Sequence, residues 1–437
     1  MNKPSKQLLT ILHGLLMLLW VLNGGSVLAA VERNTVYIAF IVVLMLLFVL
    51  RQPKLKQSVV TALGYSLIIV IICLCIVYIF SIKPQDIMQY IFQLIQFFIQ
   101  GMFCVYIFSV FTYQKFIKIF YRLLIFVRLH AFVSAILFLI LPFLFSINMG
   151  NDFTGFQARS FLYLFYMRAD EYSFSLFGIP FTRNQGLFWE PGVLQFYLNL
   201  FLYFQLYVFK TKNFYILLTI ATIISTYSTT AYGIMIIVLF GFLIRRIKKN
   251  PILILPIILV GALLFVPLLQ ANLENKFEGE HQTSSAVRLY DLVQQIFVIK
   301  DNFFTGVGID DQQYMRIRVK YGLPEYLQSI LGYNELERGS SNSILFILAT
   351  MGVFIGGLWI YAYTKQCLIK EKRGLLTFLL VIGVMAEPLL LKPFFITFII
   401  SGLMILAAKF QRKGKQSLWQ GSNLDLTAIN PASISKT

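Results

Sequence analysis

Long apolar runs, nearly free of charge, alternate with short polar joints along most of the chain. A run of about 17–24 residues, rising about 1.5 Å per residue as a helix, crosses a hydrocarbon layer roughly 30 Å thick. On that pattern the chain predicts twelve spans, at 7–30, 36–50, 58–82, 87–111, 129–147, 191–209, 213–228, 229–244, 251–269, 342–363, 374–391 and 394–408. The alternating segments that mark an outer-membrane barrel are absent. The predicted fold class is therefore all-α, a polytopic membrane protein. Lys3 and Lys6 before an apolar core, followed by "SVLAA", also resemble a cleavable signal. The length of that core and the span that follows it favour a retained first helix.

The joints are unequal. Two segments on one side, 148–190 and 270–341, are far longer than ordinary connections, which points to function. The stretch "FQARSFLYLFYMRADEYSFSLFGIPF" is amphipathic with aromatic bulk and is expected to rest in the membrane interface. "AVRLYDLVQQIFVI" has an apolar face at helical spacing and predicts a surface helix. Neither an internal repeat nor a separate soluble domain is visible. Residues 1–410 read as one membrane domain, and 411–437 as a flexible polar tail.

Charge assigns the sides. The chain is 58% hydrophobic and only 13% charged, yet its formal net charge is +18. With both termini placed in the cytoplasm, the inner segments hold 24 of the 37 Lys and Arg residues and, of the acids, only Glu371 and Asp425. That makes the inner face +22 and the outer face −4. Such a split is the positive-inside rule, so the net charge needs no nucleic acid to explain it. A multi-pass protein of the cytoplasmic (inner) membrane is expected. Cys73, Cys75 and Cys104 fall in spans and Cys367 on the inner side, which implies no disulfide framework. No Cys/His grouping has metal-ligand spacing, and neither a metal nor a cofactor is expected.

Candidate chemistry gathers in the outer loops. "FTRNQGLFWEPG" (181–192) places Arg183 and Glu190 at the mouth of a span. Alternatives are ordinary: an Arg at a helix end extending to the interface, and an acid near a helix N-terminus before Pro191. Arg159, Arg168, Arg288 and Arg338 lie in the same loops, while Arg316 and Arg318 read as solvated loop charge. His130 reads as a packed polar residue and His281 as a loop residue.

"RNQGLFWEPG" resembles the R-x-x-G-x-x-x-E-P stretch of bacterial O-antigen polymerases and O-antigen ligases, the Wzy-like membrane glycosyltransferases. "STYSTTAYGIMII" (225–237) is similar to that family's Ser/Thr-rich turn opening a helix. "SSAVRLYDLVQQIFVIKDNFFTGVGIDDQQY" (284–314) looks like its Arg-bearing helix followed by N-P-x-x-G-x-G. "SSNSILFILATMGVFIGG" (340–357) is similar to x-H-N-x-x-L…x-G-x-x-G. The resemblance spans roughly 150–360. Phe303 replaces the Pro of N-P, and Ser341 stands where ligases carry His before Asn342. Lacking that histidine, the chain looks more like a polymerase than a ligase.

The resemblance implies a GT-C-like architecture and a polyprenyl-diphosphate-linked oligosaccharide as donor, with a chain-length regulator and a flippase as possible partners. An acceptor hydroxyl attacks the anomeric carbon, and negative charge grows on the departing diphosphate. Preorganised cations stabilise that charge, and the planar fork of Arg grips phosphate oxygens in pairs. Arg183 and Arg288 are the expected clamps, with Arg159 and Arg168 behind them. Glu190 orients an Arg or accepts the hydroxyl proton, and Trp189 and Asn342 are expected to contact substrate. The competing classes are a ligase and, more distantly, a lipid-oligosaccharide flippase or other transporter. Transporters usually keep ionisable groups within the spans and show related halves, features this chain lacks.

Overall fold

The computed structural model describes residues 5–151, 156–167, 173–176, 179–247, 282–321, 340–411 and 418–419. Helices lie on every expected span except 251–269, which falls outside the described residues. They are α1 (Lys6–Leu22), α2 (Val27–Val31), α3 (Arg33–Arg51), α4 (Gln57–Phe80), α5 (Ile87–Val110), α6 (Tyr113–Ile140), α7 (Pro191–Tyr203, continued as a π-helix to Phe209), α8 (Asn213–Ile224) and α9 (Thr229–Ile247). After the gap come α10 (Gln282–Asp301), α11 (Asp311–Val319), α12 (Ser343–Thr364), α13 (Arg373–Met385) and α14 (Pro393–Gln411). Among the described residues, six helices are long and apolar enough to cross a membrane: α3, α4, α5, α6, α7 with its π extension, and α12. The other apolar helices, α1, α8, α9, α13 and α14, have shorter apolar lengths.

Side chains at the joints explain where helices begin. Ser5, Asp86 and Thr112 cap α1, α5 and α6 by accepting from the backbone N–H of Leu8, Met88 and Lys115. Aromatic packing fills the centre. The Trp20 indole stands 4.4 Å from the Phe394 ring and 5.3 Å from both Phe103 and Phe120, and its Nε1 donates to Thr397 Oγ1 at 2.9 Å.

Several expectations change. The chain is mostly helical, as expected, but the first outer loop adds five short strands that hydropathy did not predict: β1 (Ile147–Asn151), β2 (Phe156–Phe161), β3 (Phe165–Met167), β4 (Ser173–Leu176) and β5 (Ile179–Thr182). They form an antiparallel sheet β1–β2–β3 and a hairpin β4–β5. Alternation of Gln157, Ala158, Arg159 and Ser160 suits a strand with one packed face, and Ala158 and Tyr166 bury against Val27. The fifth span starts at Tyr113 rather than 129, because Phe116, Phe120, Leu124 and Val127 continue the buried face at helical spacing. Arg128, the residue just before the expected start of that span, is therefore buried in α6, its guanidinium 5.9 Å from the Phe201 ring. The first span breaks after Leu22, where Gly24 approaches the Tyr197 hydroxyl and Gly25 has a φ of 122°.

Two groups of hydrogen bonds tie distant segments together near helix ends. One set joins Lys56, Tyr113, Tyr203, Cys367, Lys370, Glu371 and Trp419. The other joins Gly25 to Trp189, Asn184 to Ser225, Gln85 to Val307, Asp86 to Asp310 and Ser343 to Glu387.

Candidate active site

Asn184 folds the segment that carries Arg183. Its Nδ2 donates to Ala131 O at 2.8 Å and to Ser225 Oγ at 2.9 Å, and its Oδ1 accepts from Gly186 N at 3.0 Å. Gly186, at a φ of 54°, completes the bend. The Ser/Thr-rich stretch 225–228 forms the turn between α8 and α9, and Arg183 Nε donates to Thr226 O at 3.2 Å. This turn is recessed. Asn199, eight residues and so about 12 Å along α7 from Pro191, donates to Ala231 O in the first turn of α9 at 3.3 Å. Arg183 is half-buried and reaches into that recess, where charge is screened less than in open water.

The rim is built from helix N-termini. Glu190 is the N-cap residue of α7, although its side chain makes no capping hydrogen bond, and Pro191 and Gly192 follow as the first helical positions. Buried Glu387, in the turn between α13 and α14, lies against Gly192: a Cβ there would meet Glu387 Oε1 at 1.8 Å. Ser343, the first residue of α12, donates its hydroxyl to Glu387 O at 2.5 Å and accepts from the N–H of Leu389 and Leu390 at 2.7 and 3.1 Å. Asn342 caps α12 by accepting from Ile344 and Leu345 N at 3.0 and 3.1 Å. The starts of α7 and α12 are thus stapled through one turn. N-terminal N–H groups favour negative charge, so Glu387 itself is stabilised where it sits. Trp189 hangs from Gly25 O through its backbone N–H at 3.1 Å, and Lys392 Nζ lies 4.9 Å from the centre of its ring.

The second outer loop reaches the same rim. On α10, Asp291 accepts from Arg318 Nη1 at 2.6 Å and from Ser341 N at 2.9 Å, and both charged side chains are buried. Arg318 is therefore no solvated loop charge: every third or fourth residue of α11 packs inward, and Arg318 falls on that face, while Arg316 is exposed as expected. Gln295 donates to Ser340 Oγ. Glycines fit the loop onto a break in α12. Val307 N and Gly308 N donate to Ala349 O and Thr350 O at 3.0 and 2.8 Å, and Val353 N donates to Phe303 O at 2.8 Å. Gly352, at a φ of 73°, makes the break, and a Cβ on Gly306 would lie 2.4 Å from Thr350 C and O. Residue 303 contributes its carbonyl, which Pro and Phe share, so the departure from N-P leaves this pairing intact.

The structure brings Trp189, Glu190 and Asn342 to one rim and hangs Arg183 in the recess beside it. Arg288 lies on α10 one turn before Asp291, and its side chain is outside the described residues. Arg159 is exposed on β2, pointing away from the sheet face that packs beside Trp189. Arg168 and Arg338 are also outside the described residues. His130 is a packed residue, stacked 5.0 Å from the Phe165 ring with Nε2 2.8 Å from Leu164 O. Sequence reasoning passed over Glu387 and Lys392, because "AEPLLLKP" lay at the end of an apolar run. The signal was there: a second Glu-Pro pair before a helix start.

Residues 214–360 match a protein family described as O-antigen ligase. That match supports an O-antigen ligase/polymerase-like family. It takes in the recessed turn, α10 and its Arg288, the glycine loop and Asn342. Neither the curated proteins nor the solved structures yield a match. The six long apolar helices suit a protein that crosses a membrane several times.

Proposed function

We propose that the protein is a polysaccharide polymerase that joins polyprenyl-diphosphate-linked oligosaccharide units on the outer face of the cytoplasmic membrane. The acceptor sugar's hydroxyl oxygen forms a bond to the donor's anomeric carbon. The bond from that carbon to the diphosphate oxygen breaks, and the polyprenyl diphosphate leaves with the electron pair. Arg183 and Arg288 neutralise the growing charge, the task a divalent cation performs in other glycosyl transfers. Lys392, beside Trp189 at the same rim, adds a further positive charge. Glu190 takes the hydroxyl proton, or else orients an Arg while the departing diphosphate carries the proton away, and Trp189 offers a flat face to a sugar.

The observation that carries this reading is Arg183, tied to Thr226 O in a recess beside two stapled helix N-termini. Polymerase is favoured over ligase by Ser341. The ligases' histidine precedes the capping Asn, and here that position is a serine whose backbone N–H is bonded to Asp291. A strain lacking the protein should still attach single repeat units to their final carrier and lose the polymer ladder. Polymer that accumulates on its lipid carrier with no surface attachment would make the protein a ligase instead. Purified protein in liposomes with lipid-linked repeat units should build polymer without added metal.

A further inference from the structure

The polar tail that follows α14 does not simply leave the membrane domain. Leu418 and Trp419 are 6% and 2% exposed. The Trp419 indole meets the rings of Phe108, Tyr113 and Phe116 at 4.9, 5.2 and 5.3 Å, and its Nε1 donates to Cys367 O at 2.9 Å. Its carbonyl accepts from Lys56 Nζ at 3.2 Å. The Lys370 ammonium stands 5.0 Å from the Tyr113 ring and 5.9 Å from the Trp419 ring. A fully buried indole with its N–H satisfied is a strong anchor. This one ties together the start of α4, the α5–α6 turn and the segment leading into α13.

The position of the socket matters because it lies at the start of α13, which packs against α7, α9 and α12 and is followed by α14. The turn between them, at the other end, carries Glu387 and Lys392. Trp419 holds the segment leading into α13 through Cys367 and Lys370. Close-packed helices pass a displacement at one end to the other rather than absorbing it. We infer that the Leu418–Trp419 segment is a latch and Trp419 a positioning residue, holding the root of α13, which packs on α7, so that Glu387 and Lys392 stay against the start of α7. The effect on glycan transfer rests on the function proposed above; the latch does not.

Cys367 reports the latch directly. Its thiol is buried, and burial pushes its pKa up to about 12, so little of the reactive thiolate exists at neutral pH. Of the four cysteines Cys75 is the exposed one, so a Cys75→Ser background silences it. N-ethylmaleimide should label Cys367 slowly in the purified full chain. Labelling should be at least tenfold faster in Trp419→Ala and in a chain stopped after Gln411, since a fall toward the ordinary thiol pKa of about 8.5 raises the thiolate fraction by roughly 10³. Trp419→Phe keeps the ring and loses the donor, and should be intermediate. Equal protection in Trp419→Ala and the stopped chain would overturn the latch. If Trp419→Ala does not fold, Lys56→Ala removes one tail contact and takes its place in the comparison. Hydrogen exchange at 386–392 tests positioning without any activity: it should quicken on release, and unchanged exchange with Cys367 labelled would overturn the positioning role. Polymer yield should fall in Trp419→Ala and partly return in Trp419→Phe.

Discussion

The Glu387 carboxylate occupies the space where a side chain on Gly192 would stand, with Oε1 only 1.8 Å from an ideal Cβ. Neither residue can change size without moving the other. Gly192→Ala should force Glu387 off the α7 N-terminus and cost about 1–3 kcal/mol, the range for overpacking a close-packed site. Thermal unfolding of the purified protein measures the cost, and polymer yield reads the displaced carboxylate. Glu387→Asp, one methylene shorter, should partly rescue Gly192→Ala; a double variant no better than the single would refute the clash.

Arg183 needs its guanidinium. Its Nε is bonded to Thr226 O, a contact the unbranched ammonium of Lys cannot make while also gripping phosphate oxygens in pairs. Arg183→Lys should therefore lose nearly as much polymer formation as Arg183→Ala. The loss should be roughly 10²–10³-fold, by analogy with removing one preorganised donor from an anion site. Wild-type rates from Arg183→Ala at equal protein abundance would remove it from the site.

Glu190→Gln separates the two carboxylate roles. Gln still accepts an orienting hydrogen bond but is far too weak a base. Substantial polymer from Glu190→Gln, with none from Glu190→Ala, would support orientation. Loss in both favours proton transfer.

The Asp291–Arg318 pair is buried, so removing one partner strands the other. Asp291→Ala should destabilise by roughly 3–5 kcal/mol and also release Ser341 N at the start of α12. Arg316→Ala, on the exposed side of the same helix, should stay within about 0.5 kcal/mol of wild type. Denaturation in detergent compares the two, and equal effects would contradict the placement of Arg318.

Sidedness has a direct check. In intact cells an impermeant thiol reagent should label Arg159→Cys, which is exposed in the first long loop, and leave Arg373→Cys unlabelled until the membrane is opened. The reverse pattern would invert the map and remove the argument for an outer-face site.

Helix positions were legible in the chain because a span must be apolar for its whole length, and hydropathy records that locally. The resemblance at 225–360 was legible for a related reason: glycines at 306, 308 and 352 are demanded by backbone approach, so they stand in the sequence as fixed letters. Partnership was not legible. Arg316 and Arg318 look alike in sequence, two residues apart, and only the packing of α11 against α10 decides that one is solvated and the other paired with Asp291. Glu387 read as the end of an apolar run until the α13–α14 turn met the start of α7, 195 positions earlier in the chain. Trp419 read as part of a polar tail until its socket was assembled from three separate segments. A local pattern reports the solvent each residue prefers, whereas a site is a set of distances between residues far apart in the chain, and those exist only once the helices have packed.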